Sequence, residues 1–143
     1  MERHLLVCRI KTPDGTILES HGGEMASHKD KNGETYFLDL LSLQDMLYRT
    51  SMNKEKAVDA SIYTDSPFEE IRENFKRGTW DKEGNRIWKP LCECSDAHLV
   101  NIIKYNNKNC PDAPKWYEET IRREIEYRKE HNIHIEDYFI DNF

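Results

Sequence analysis

The chain has 143 residues, 37% hydrophobic and 34% charged, with 27 acids against 21 bases and a net charge of −6. That length suits one domain, residues 1–143, able to bury a core without staples, and three Trp, seven Tyr and five Phe supply large apolar bodies for it. The charge repels a phosphate backbone unless the basic residues gather on one face, so sequence-independent nucleic-acid binding is not expected. Lys and Arg interrupt every acidic run, which excludes an acidic imitation of DNA. No window approaches the roughly eighteen apolar residues of a membrane span, and the apolar stretch Leu5–Cys8 is too short for a signal-peptide core. The expected compartment is therefore cytoplasmic, with Cys8, Cys92, Cys94 and Cys110 reduced.

In chain order, His4 to Ile10 is apolar and β-rich, Pro13-Asp14-Gly15 is a turn, and Thr16 to Glu19 returns. Met25 to Lys29 and Glu34 to Leu38 flank Asn32-Gly33, the strongest short hairpin signal. These segments predict an antiparallel β-meander. Leu43, Met46 and Leu47 recur at helical spacing, so Leu41 to Arg49 is expected as a short helix closing residues 1–49. In residues 60–91, Ser61 to Thr64 reads as a strand. Ser66-Pro67-Phe68-Glu69 then opens a helix to Gly78, with Phe68, Ile71 and Phe75 as its buried stripe. Trp80 to Pro90 reads as a hairpin around Glu83-Gly84-Asn85, with Trp80 facing Trp88.

Residues 95–131 predict a helical hairpin. Ser95 caps a helix with Leu99, Ile102 and Ile103 inward, and Cys110 to Pro114 breaks the chain before a longer helix carrying Tyr117, Ile121 and Ile125. The pairs Glu118–Arg122, Glu119–Arg123 and Glu124–Arg128 read as a solvated surface. The apolar tail, residues 132–143, is expected to dock on its own domain or to join copies of the chain through Ile133 to Phe143. The fold class is thus α+β.

Two sets of side chains resemble metal ligands. Cys92, Cys94, His98 and Cys110 have thiolate and imidazole chemistry suited to zinc, but Cys-x-Cys is a poor knuckle and Cys110 lies a whole helix away, so free thiols are expected. His21, Glu24 and His28 could hold a metal with open positions. Strand alternation and the loose Gly22-Gly23 instead predict an exposed polar loop or ligand-contacting edge. No phosphate loop, nucleophile elbow or dinucleotide fingerprint occurs. Cys8 alternates with Leu6 and Ile10 as a core residue, and Trp80, Trp88 and Trp116 are expected in the core. No metal, cofactor or catalytic residue is expected.

Ile17-Leu18-Glu19-Ser20, His21, Glu24, His28 and Asp39 resemble a family of small uncharacterised proteins encoded mainly by tailed bacteriophages. Its pattern runs I-E-S, R-H-R-H-D-[FY]-V-x-[CH], a turn, then V-D-G-G-x-D-Y-x-R-R. Ser61 to Phe75 and Trp88 to Ile103 are similar to the helical part of its longer members. Many members close the meander with a zinc ribbon, where this chain has Lys11-Thr12-Pro13-Asp14 and Asp30-Lys31-Asn32. Gly22 and Gly23 replace Arg and His, Leu40 and Leu41 replace the two glycines, and only Asp45 and Arg49 match the ending.

The resemblance implies viral origin and fold, not a reaction. Small accessory phage proteins commonly bind a host component, so the expectation is a binder in the host cytoplasm that sequesters a nucleotide signal or inhibits a host protein, countering host defence. Its ligand site is expected at His21, Glu24, His28, Tyr36, Asp39, Tyr48 and Arg49. The alternatives are a metal-dependent hydrolase and a structural or interaction module of a larger assembly.

Overall fold

The computed structural model describes residues 3–21, 24–42, 47–50 and 56–135. The chain is mixed α+β, with antiparallel strands in its first half and a pair of helices at its end. It forms two compact units, Met1–Pro67 and Phe68–Phe143, which are taken in turn.

In the first unit β1 (Leu5–Lys11) pairs with β2 (Ile17–Ser20) across the Pro13-Asp14-Gly15 turn. β3 (Met25–Lys29) pairs with β4 (Thr35–Ser42) across Asn32-Gly33. Gly15 at φ 90° and Gly33 at φ 84° take the left-handed conformation that these turns require. β2 and β3 share no ladder, so the expected meander is divided into two hairpins in separate sheets. Leu5, Cys8, Ile10 and Leu18 of one sheet and Tyr36, Leu38 and Leu40 of the other form one buried cluster. Cys8 is the core residue its alternation predicts, and burial, helped by Asp59, pushes its thiol to about 12.

The helix expected over Leu41 to Arg49 gives way to strands at both its ends, while Leu43 and Met46 lie outside the described residues. β4 continues to Ser42, and β5 (Leu47–Thr50) pairs back onto it with Arg49 opposite Asp39 and Tyr48 opposite Leu40. Three apolar residues at helical spacing are a weak period, and ladder pairing outweighs it. β6 (Val58–Asp59) and β7 (Ile62–Tyr63) add to β1, the latter the strand expected around Ser61 to Thr64.

The second unit begins with α1 (Phe68–Asn74), β8 (Lys76–Trp80) and β9 (Arg86–Pro90). The helix expected to reach Gly78 ends at Asn74, because Lys76 to Trp80 pairs with β9 and Gly78 is a poor helix former. Ser66 does not cap it in the expected box; its hydroxyl accepts the Tyr63 N–H at 3.0 Å. A single 3-10 turn, Leu91–Glu93, leads to α2 (Asp96–Asn109), which Ser95 caps by accepting the His98 N–H at 3.1 Å. α3 (Lys115–His131) ends at Asn132 in the left-handed conformation and completes the helical pair. The apolar tail is described to Ile135, whose carbonyl accepts the Asp96 N–H at 3.2 Å; the rest of the proposed oligomerising segment lies outside the described residues.

One expectation is reversed here. Glu124 and Arg128, read as a solvated pair, are both 0% exposed. Arg72 grips Glu124 with Nε at 2.8 Å and Nη2 at 2.9 Å, and Arg128 Nε donates to its second oxygen at 2.8 Å. Arg128 also reaches Asp96 at 2.6 Å and the carbonyls of Leu91 and Cys94 at 2.8 and 2.7 Å. Two arginines and two carboxylates thus tie α1, the 3-10 turn, α2 and α3 together with their charges balanced. Arginine suits this because its rigid fork satisfies several acceptors at once.

Candidate functional site

The residues expected to form a ligand site lie on the approach to the second hairpin, on both of its strands and on β5. His28 lies opposite Tyr36, and Met25 opposite Asp39. Tyr36 is 0% exposed and belongs to the core; its hydroxyl donates to Glu34 at 3.1 Å. Burial, then Glu34, raises its pKa. Asp39 follows three residues later and so projects from the opposite sheet face to Tyr36. Glu24 closes a turn by donating its N–H to the His21 carbonyl at 2.8 Å. Tyr48 and Arg49 are placed by backbone register only.

The two histidines are also apart in their partnerships. The His21 imidazole lies 3.4 Å from Glu19, and that of His28 lies 2.9 Å from Asp14. Asp14 joins the two hairpin turns: besides His28 it accepts the Thr12 hydroxyl at 2.6 Å and the Thr16 N–H at 3.0 Å, and the Lys31 N–H lies 3.4 Å from it. Asp14 is thus a carboxylate clasp between the two turns. The Thr12 hydroxyl, then His28, holds the Asp14 carboxyl far below the usual carboxylate range. A carboxyl whose pKa falls on folding adds stability above its unfolded value of about 4 and loses it as pH drops further. Thermal melts of the parent should therefore show the first unit weakening below about pH 4, while Asp14→Asn starts from a lower melting temperature at neutral pH and loses less on acidification.

Among the described residues no three of His, Cys, Asp and Glu stand together as metal ligands. Cys94 is buried with Sγ 3.5 Å from the Pro90 carbonyl, and burial pushes it to about 11, whereas Cys110 is exposed at the far end of α2. Among the described residues no helix is long and apolar enough to cross a membrane.

The β8–β9 hairpin presents the more distinctive surface. Asp81 builds its turn by accepting the N–H groups of Glu83 at 3.0 Å and Asn85 at 2.8 Å, while Gly84 takes φ 83°. The register then sets Gly78 opposite Trp88 and Trp80 opposite Arg86, so all four lie on one face. Trp80 and Trp88 do not face each other directly, as the sequence suggested; they are diagonal, with the Arg86 guanidinium 5.3 Å from one ring and 5.0 Å from the other. A Cβ on Gly78 would stand 2.3 Å from Arg86 Nη2, so the glycine leaves the space that the guanidinium crosses. Nor is Trp80 a core residue, being 63% exposed.

Residues 76–90 hold five Lys or Arg and two acids in a chain of net charge −6, so this hairpin carries a local excess of positive charge. That concentration is legible in the sequence. Arg86 was missed because its place between the two indoles depends on the hairpin register. In comparisons with protein-family models, curated proteins and solved structures, nothing matches this chain.

Proposed function

We propose that the chain is an accessory binding protein of a tailed bacteriophage that acts in the host cytoplasm by capturing a nucleotide-class ligand on the Trp80–Arg86–Trp88 face. The observation that carries the ligand class is an exposed indole beside an arginine already lying between two aromatic rings. An aromatic base stacks on such a surface whatever its edge pattern, and Arg86 with Lys76 of the same face favours its phosphate. The viral setting rests on the resemblance of Ile17 to Asp39. Sequestering a nucleotide signal of host defence is the role that joins the two.

Titration of the full chain with cyclic nucleotides and ADP-ribose, followed by tryptophan fluorescence, tests this. Saturable quenching is expected, and Trp80→Ala should weaken binding by about 1–3 kcal/mol, roughly 5- to 150-fold, with the fold intact by circular dichroism. A parent protein that shows no quenching with any of them overturns the ligand class. Exposed Trp and Arg are also the residues that dominate protein interfaces, so the rival reading is inhibition of a host protein through the same face. Co-purification of one host protein with the parent, lost in Trp80→Ala, would select that rival.

A further inference from the structure

The other face of the β8–β9 hairpin carries a separate arrangement. Arg77 and Lys89 are direct cross-strand partners, and like charges so placed destabilise a hairpin unless negative charge is brought to them. Among the described residues neither forms an ion pair with a carboxylate. The Arg77 guanidinium lies 4.9 Å from the Tyr117 ring and 5.9 Å from that of Phe75, which hold it in place. Its Nε is buried without a hydrogen-bond partner. A buried donor left unmatched costs free energy, so this guanidinium stands short of its full set of acceptors.

Burial lowers the pKa of His98, on the first turn of α2, and the charges of Arg77 and Lys89 lower it further. The same two cations act on the Cys94 thiol, alongside Arg128. An arginine fork anchored on an aromatic ring and a flexible lysine beside it are donors that together suit the several oxygens of a phosphoryl group.

We infer that Arg77 and Lys89 form a phosphoryl-binding site on the face of the hairpin toward Tyr117. It is separate from the Trp80–Arg86–Trp88 face, because residues 77 and 89 alternate to the other side of the strands from 78, 80, 86 and 88. The shared chemistry is a phosphoryl group, whether of inorganic phosphate, pyrophosphate or a nucleotide.

The experiment is calorimetric titration of the full chain with inorganic phosphate, pyrophosphate and a nucleoside monophosphate, with sodium chloride at matched ionic strength as control. Saturable binding of at least one phosphoryl compound is expected, absent with chloride. Arg77→Gln and Lys89→Gln should each weaken it about tenfold or more, while Lys108→Gln, at an exposed position in the last turn of α2, leaves it unchanged. Lys89 is exposed, so its variant keeps the test valid should Arg77→Gln disturb the packing against Tyr117. Binding no stronger than with chloride, or binding unaffected by Lys89→Gln, overturns the site. Phosphate binding without fluorescence quenching by nucleotides would sustain this site and remove the aromatic reading; quenching without phosphate binding would do the reverse.

Discussion

Arg128→Met is expected to destabilise the second unit by about 3–5 kcal/mol, a large part of the 5–15 kcal/mol by which ordinary domains are stable. The reason is what it leaves behind. Glu124 keeps the two bonds from Arg72, but Asp96 loses its 2.6 Å partner and the Leu91 and Cys94 carbonyls lose their donor, all inside the protein. A methionine restores much of the volume and none of the donors, so the cost reports unmatched polarity rather than a cavity. Arg122→Met is the control on the same helix. Its partner Glu118 lies 2.9 Å away, and both side chains are partly solvated. Such exposed pairs are worth about 0.3–0.5 kcal/mol. Urea unfolding followed by far-ultraviolet circular dichroism compares the two, and equal effects would show that the buried network is not what holds the helices.

Tyr36→Ala is expected to cost the first unit about 3–5 kcal/mol, as for other large aromatics removed from a core. Tyr36→Phe, which keeps the ring and loses only the hydrogen bond to Glu34, should cost about 1 kcal/mol. The contrast decides between two roles. A tyrosine serving a ligand would lose binding in both variants and little stability in either, whereas one that packs with Leu38, Leu40 and Leu18 loses stability in proportion to the ring. Denaturant midpoints of the two variants measure this directly; a small and equal loss in both would return Tyr36 to the ligand site.

Much of the N-terminal fold was legible because turn chemistry is local. Pro13-Asp14-Gly15 and Asn32-Gly33 mark hairpins by the backbone angles they admit, and the apolar, β-rich runs His4 to Ile10 and Glu34 to Leu38 that flank them mark strands. Ser95 was legible as a cap for the same reason: its hydroxyl serves a backbone N–H three residues away. Leu41 to Arg49 was misread because a helical period drawn from three residues says nothing of a ladder partner waiting on β4. The candidate site shows the same division. The basic character of residues 76–90 was visible, but Arg86 falls between two tryptophans only once the register sets it opposite Trp80.

The sequence by itself determined the α+β class, the hairpin turns, the cap of α2 and the spacing that lets Glu124 meet Arg128. Tertiary structure alone decided that β2 and β3 belong to different sheets, that Asp14 clasps two turns, and that Glu124–Arg128 is buried while Glu118–Arg122 is not. The physical reason is one of range. Turns, caps and four-residue spacings are set within a few bonds of the chain, whereas burial depends on which distant element covers a face, and the same acid–base spacing serves equally well in water or in a core.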